Sequence, residues 1–326
     1  MSGSRFRPGS VVRPTRRFVA GAAASLALAP PSAFADPPAD KDPVAARNVD
    51  ERLSIAVRIN GKGPFQFIVD SGAERSIIAS ETADALGLPR GEPVLLRDIT
   101  QSVTTGTVRV DELLAGRNRL RRAELPVLPR RWLEADGYLG LDVIDGHRLV
   151  LDFKKRAIAL ENPRPSLSQI RQPDEVVIRA DGPRGKLRTI DCSVDQVGVA
   201  AFLDTGAGMT VGNTQLLDRL ARRKPLIPAD TIRIYGVTGG SLDCRVVKLS
   251  HLVLPDLEFE GCLIAIADLQ IFDIWGLTKQ PALLIGMDLL RQFDEVTMDY
   301  GRKEYRLVMG EDAPASLRRI GSGRSA

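Results

Sequence analysis

Apolar and polar residues alternate along most of this chain with a period of two, and Gly, Asn and Pro punctuate the alternation. "LSIAVRI" from Leu53 alternates, Asn60-Gly61 supplies a hairpin turn, and "FQFIVD" runs back. After "SIIA" comes Ser80, placed as the cap of a short helix over "ETADAL" that Gly87 and Pro89 stop. Farther along, "TIDCSV" and "VGVAAFLD" form a second strand pair, and "TQLLDRLARR" a second helix ended by Pro225. The pattern predicts a mainly β protein with a few short helices.

The two regions share more than periodicity. Residues 67–79 read "FIVDSGAERSIIA" and residues 201–213 read "AFLDTGAGMTVGN", so Asp70 and Asp204 stand 134 positions apart. At that offset Leu86 falls on Leu220, and Thr105-Gly106 fall on Gly239-Gly240, each read as part of a Gly/Thr turn between strands. "GYLGLDVI" matches "LLIGMDLL", pairing Gly140 with Gly286, and the offset grows by 12 residues to 146 around "LQIFDIWGLTKQ". "LDFKKRAIAL" and "MDYGRKEYRL" are matching hairpins, and the Pro- and Ser-rich "NPRPSLSQIRQPDE" lies between the halves. One Asp-x-Gly turn is commonplace, because Asp and Gly favour turns for local reasons. Several landmarks in one order, twice, predict a duplicated unit. The plan is an N-terminal lobe at 51–163 with Asp70, a connector at 164–175, a C-terminal lobe at 176–310 with Asp204, and a tail at 311–326.

Composition is that of a globular protein, with 44% apolar and 26% charged residues. Net charge is +4, but residues 1–35 hold Arg5, Arg7, Arg13, Arg16 and Arg17 and no acid, so the rest of the chain carries −1. The basic balance belongs to that leader and makes no case for nucleic-acid binding. Arg16-Arg17, the short apolar "FVAGAAASLALA" and "AFA" before Asp36 have the parts of an export signal, with a twin-arginine-like pair. Twelve residues are too few to span a bilayer, and no later segment is apolar enough for a membrane helix. A periplasmic or extracellular monomer is expected, with 36–50 as a Pro-containing linker. Cys192, Cys244 and Cys262 lack metal-ligand spacing; a Cys244–Cys262 bridge is conceivable, and three small buried hydrophobes is the simpler reading. Only His147 and His251 are histidines, and no G-x-S-x-G, H-E-x-x-H or P-loop occurs, so serine, zinc and nucleotide chemistries have no anchor. No metal or cofactor is expected. "GRNRLRR" at 116–122 and "RRK" at 222–224 read as solvated faces, and Trp275 as a core filler rather than a lid contact.

The chemistry lies in the paired turns. Two carboxylates brought together by approximate two-fold symmetry cannot both ionise; they share a proton, so one acts as base and the other as acid. That pair activates water and protonates a carbonyl or amine, which suits amide hydrolysis. Gly72 and Gly206 would let the turns approach, and Ser71 and Thr205 would place hydroxyls across the join.

"VDSGA" and "LDTGA", each followed by an apolar-apolar-Gly ("YLG" and "LIG"), resemble the aspartic proteases of the retropepsin and pepsin type over residues 51–308. The resemblance implies a bilobal, mainly β, double-psi-barrel-like fold and an aspartic endopeptidase acting on peptide or protein substrate. It implies catalytic Asp70 and Asp204 within turns formed by Ser71, Gly72, Ala73, Thr205, Gly206 and Ala207. Flaps over the substrate map to Thr104, Thr105 and Gly106 in the first half and to Tyr235, Gly239 and Gly240 in the second. The first hairpin lacks the flap tyrosine of pepsins, and each half is short, as in a retroviral subunit. The alternative is an exported peptide-binding module of the same fold that does not cut.

Overall fold

The computed structural model describes residues 44–45, 47–49, 52–163, 174–182, 187–226 and 228–320. The expected export signal at 1–35 and most of the connector lie outside the described residues. The described residues form one compact unit.

The N-terminal lobe is a closed six-stranded barrel. Strands Arg52–Ile59 and Lys62–Val69 form the first hairpin, turning at Asn60 and Gly61, both at positive φ. Lys62–Val69 then pairs in parallel with Gly137–Leu139, which pairs with Ile77–Ala79. Asn118–Leu128 pairs with Ile77–Ala79 and with the long strand Ser102–Ala115, whose end returns to Arg52–Ile59 and closes the ring. Helix Ser80–Leu86 ends on Gly87 in the left-handed region, as the sequence implies. Its cap is Ala79, not Ser80: Ser80 is the first helical residue and its hydroxyl turns to Glu81 instead.

The C-terminal lobe repeats the order. Arg188–Val194 pairs with Val197–Leu203, which runs parallel to Ala282–Ile285, and Val211–Gly212 lies between that strand and Leu263–Ile266. Helix Thr214–Ala221 is capped by Asn213, whose side chain accepts from Leu216 N at 3.0 Å. The segment at 269–280 forms helix Gln270–Ile274, and half-buried Trp275 packs against the core, 3.9 Å between ring centroids from the buried Phe202.

The two terminal hairpins of the repeat join the lobes. Arg148–Asp152 pairs with Ala157–Glu161 on one side and with Glu295–Asp299 on the other, making one antiparallel sheet that joins the two lobes. Glu295–Asp299 continues to Glu304–Val308 and then Glu175–Asp181. Buried Arg148 ties the halves by pairing with Glu161 (3.1 Å) and with Asp299 of the other lobe (3.3 Å). Two expected boundaries shift. Val44–Ala45 and Arg47–Val49, within the expected linker, pair with Ala157–Glu161 and Arg52–Ile59. Leu317–Arg319, within the expected tail, pairs with Leu257–Glu260. Unsatisfied sheet edges recruit flanking chain, which composition alone does not reveal. The three cysteines are free; burial pushes the Cys192 and Cys262 thiols up to about 11.

Candidate active site

Each Asp-[Ser/Thr]-Gly turn ends a buried strand held by a parallel neighbour. Asp70 N donates to Leu139 O (3.0 Å) and Asp204 N to Ile285 O (2.9 Å). The neighbour then runs into Gly140 or Gly286, which lies against the turn backbone. A Cβ on Gly140 would stand 2.6 Å from the carbonyl carbon of Arg75, and one on Gly286 the same distance from that of Met209. Only glycine fits, so the apolar-apolar-Gly landmark is a close approach of two backbones.

A second layer locks each turn from behind. Gly140 N donates to Ser76 Oγ (3.0 Å), and Ser76 Oγ to Asp142 (2.6 Å). Gly286 N donates to Thr210 Oγ1 (3.1 Å), and Thr210 Oγ1 to Asp288 (2.8 Å). Leu141 N and Met287 N donate to Ala73 O and Ala207 O, both at 2.8 Å. Ser76, Thr210, Asp142 and Asp288 were not singled out from sequence. The signal was present, since Ser76 and Thr210 keep the 134-residue offset and Asp142 and Asp288 the 146-residue offset.

The turns meet at the lobe junction. Ser71 N donates to Thr205 Oγ1 and Thr205 N to Ser71 Oγ, both at 3.0 Å. Thr205 Oγ1 donates onward to Val69 O (2.7 Å) and Ser71 Oγ to Leu203 O (3.2 Å). All these groups are buried, so each hydroxyl satisfies one amide and one carbonyl of the opposite lobe. Tyr300 is also buried; its hydroxyl donates to Met298 Sδ (3.9 Å), and burial drives that hydroxyl well above the usual tyrosine range.

Above this crossing the two carboxylates face each other. A Cβ on Gly72 would lie 2.5 Å from Asp204 Oδ2, and one on Gly206 2.5 Å from Asp70 Cγ. Each glycine is thus the floor on which the opposite carboxylate rests. Asp70 Oδ1 accepts from Gly72 N (2.9 Å) and Ala73 N (3.0 Å), and Asp204 Oδ1 from Gly206 N (2.9 Å). Asp70 is half-buried, whereas Asp204 is 5% exposed. Burial, and then the charge of Asp70, raise the Asp204 carboxyl well above the ordinary carboxylate range; the amide N–H groups of Gly206 and Ala207 oppose the rise.

The carboxylates open into a cavity of about 590 Å³ whose lining includes Gly72, Ala73, Gly206, Ala207 and Tyr235. Its walls carry Ile77, Leu96, Ile99, Val237, Ile271 and Ile274. Two hairpins cover it, and one differs from expectation. Ser241–Lys248 follows Pro228–Tyr235 through a turn holding Gly239 and Gly240, as the sequence implies. In the N-terminal lobe the turn lies at 98–101, between Arg90–Arg97 and Ser102–Ala115. Thr104 and Thr105 are inside the second strand, paired with Leu95 and Val94, Gly106 follows them in that strand at a register shift, and none of the three is among the residues lining the cavity. A Thr-rich alternating run is good strand, and the real turn is made by Asp98, whose side chain bonds the amides of Thr100 (2.6 Å) and Gln101 (2.9 Å). Asp-x-Thr in "DITQ" was the available signal.

Among the described residues, the one cluster with metal-ligand geometry is His251, Glu258 and Glu260, away from this cleft. Arg318 already pairs with both glutamates (2.6 and 2.8 Å). No helix among the described residues is long and apolar enough to cross a membrane.

No curated protein sequence matches this chain. The sequence model of the aspartyl protease family matches residues 55–143 and 190–289, one stretch in each lobe and each containing one of the facing aspartates. Together these cover more than half of the chain, and the chain belongs to the aspartyl protease family.

Proposed function

We propose that this protein is an exported aspartic endopeptidase that hydrolyses peptide bonds with water activated between Asp70 and Asp204. The observation that carries the reading is the reciprocal seating of the two carboxylates, each against the glycine of the opposite turn. At that separation two negative charges repel in a poorly solvated site, so the pair holds one proton between them. The greater burial of Asp204 favours it as the proton holder and leaves Asp70 as the base.

In this mechanism Asp70 takes a proton from water while the water oxygen attacks the scissile carbonyl carbon. Asp204 gives its proton to the carbonyl oxygen, and a neutral tetrahedral diol results. In the collapse Asp70 gives its proton to the amide nitrogen while Asp204 takes one from a diol hydroxyl, the C–N bond breaks to leave the carboxylic acid and the amine, and the dyad again holds one shared proton. The apolar walls support a substrate bound in extended form, with main-chain polarity met by the hairpins. Export, a periplasmic or extracellular location and a monomeric state belong to the same proposal and rest on the leader sequence.

A diverse peptide library incubated with wild type, Asp70→Asn and Asp204→Asn tests it. Wild type cuts and neither variant does, while chelators and serine-protease reagents have no effect. Binding without cleavage by the wild type would identify a non-catalytic module instead. Sequencing the mature N-terminus near Asp36 tests export.

A further inference from the structure

The roof of the cleft is made of two hairpin tips, and each tip seats on the lobe it does not come from. Ile99, at the first tip, packs against the C-terminal-lobe cluster that contains Phe202 and Phe272. Ser102, just beyond it, and Gln270 of the opposite lobe share hydrogen bonds at 3.0 and 3.3 Å. Val237, at the second tip, packs against the N-terminal-lobe cluster that contains Ile68 and Tyr138. Gly239 lies on Trp132 of helix Arg130–Leu133, where a Cβ would stand 2.6 Å from the indole.

One carboxylate joins the tips where they cross. Asp98 Oδ1 accepts from Thr100 N (2.6 Å), Thr100 Oγ1 (2.8 Å) and Gln101 N (2.9 Å), closing its own turn. Asp98 Oδ2 accepts from Thr238 N (2.8 Å) and Thr238 Oγ1 (2.7 Å) on the opposite tip. Gln101 Nε2 adds a bond to Thr238 O (3.1 Å). Thr238 is 1% exposed, an unusual burial for a polar side chain at a hairpin end. Gly236 and Gly240 beside it have no room for a Cβ against Asp98 and Thr100. Burial of Asp98 opposes its ionisation, but hydrogen bonds from Thr238, Gln101 and Thr100 outweigh it and hold the carboxyl below its ordinary range.

We propose that Asp98 is a positioning residue that clasps the two hairpins over the dyad, so that a peptide gains the cleft by parting the Asp98–Thr238 contact. Its role under turnover rests on the peptidase reading of the same cleft; the clasp itself does not. A carboxylate suits the place because it offers one acceptor oxygen to each tip. Asn does not: with its oxygen turned to its own loop, its NH₂ faces the Thr238 N–H, donor against donor, and meets only the Thr238 hydroxyl, as a neutral donor. Asp98→Asn therefore keeps the turn and weakens the clasp, which separates the two roles.

The experiment is residue-resolved amide exchange on the whole chain for wild type, Asp98→Asn, Asp98→Ala, Thr238→Val and the Asp98→Asn/Thr238→Val pair, with peptide kinetics alongside. In Asp98→Asn, exchange across 236–240 rises about tenfold, as two charge-assisted bonds are lost, while the amides of Thr100 and Gln101 stay protected. Asp98→Ala releases both tips. Thr238→Val alone has a smaller effect, and combining it with Asp98→Asn adds little, because the two sites share one interaction. KM falls several-fold in Asp98→Asn with kcat within about twofold, because substrate no longer has to part the contact to enter. Unchanged exchange at 236–240 in Asp98→Asn overturns the clasp, and faster exchange with unchanged KM overturns its role in admitting substrate. A wild type that cuts nothing, with exchange moving as described, removes the peptidase reading and leaves the clasp standing.

Discussion

The two lobes are nearly identical around the paired turns and differ away from them. Ser71 and Thr205 across the junction, and Ser76 and Thr210, Gly140 and Gly286, and Asp142 and Asp288 behind each turn, make the same bonds within a few tenths of an ångström. Away from the turns the lobes diverge. The N-terminal strand Ser102–Ala115 runs unbroken and closes its ring. Its C-terminal counterpart breaks at Leu249 into Ser241–Lys248 and His251–Leu254. There the Asp195 carboxylate takes the orphaned N–H groups of Ser250 (3.1 Å) and His251 (2.8 Å), held by Lys224 at 2.7 Å. Backbone pairing lost in one lobe is replaced by a side chain, a local change with a local remedy. Nothing comparable is open to the crossing turns, where the amides and hydroxyls of Ser71 and Thr205 are satisfied by the partner lobe.

If the lobes are equal chemical partners, Asp70→Asn and Asp204→Asn each abolish peptide cleavage, by about 10³-fold or more in kcat, with the fold intact. A large loss at one position only would show that the dyad does not act as a unit. The link between the lobes is next in size. Arg148→Ala strands buried Asp299 without its partner and costs about 3–5 kcal/mol in denaturant unfolding. Ser71→Ala and Thr205→Val each leave a buried amide and a buried carbonyl unpaired, and each costs roughly 1–3 kcal/mol. Near-equal costs would support the symmetry of the junction, and a several-fold difference would break it.

The carboxylates themselves are unequal, and stability against pH reads that inequality. The Asp204 pKa is raised in the folded state, by burial first and the Asp70 charge second. The folded chain therefore binds the proton more tightly than the unfolded one, and ionisation costs stability as pH rises above the ordinary carboxylate range. Asp204→Asn removes that cost, raising stability at neutral pH by about 1–3 kcal/mol, with the gain vanishing below about pH 4. Asp70→Asn removes only the second of those causes, the Asp70 charge, and gains less. The smallest effect concerns Ala73 and Ala207, which offer the dyad no side-chain hydroxyl. With no such donor to stabilise the charge, the monoprotonated pair persists to higher pH, and cleavage peaks at roughly pH 4.5–6.5. Ala207→Thr adds a donor and moves the acidic limb of the pH–rate profile downward, whereas a wild-type peak below about pH 3 would show that the alanines do not set the dyad's ionisation.

What the sequence determined by itself was the set of residues whose role is local or repeated. Asn60-Gly61 dictates a hairpin because both sites take positive φ, and Gly87 ends a helix for the same reason. The Asp-[Ser/Thr]-Gly turns and their partner glycines were legible because duplication printed each twice at a fixed offset. Where one copy had drifted, that device misled. Matching Thr105-Gly106 to Gly239-Gly240 put a turn inside a strand, since strand and turn residues overlap in type and only pairing to Arg90–Arg97 and Asn118–Leu128 decides between them. Tertiary structure alone decided the unequal burial of Asp70 and Asp204, the buried Arg148–Asp299 pair between lobes, and the meeting of Asp98 with Thr238. These are contacts between residues up to 151 positions apart. Their strength depends on excluded water and on backbone held in place by both lobes, and neither is a property of any short stretch of chain.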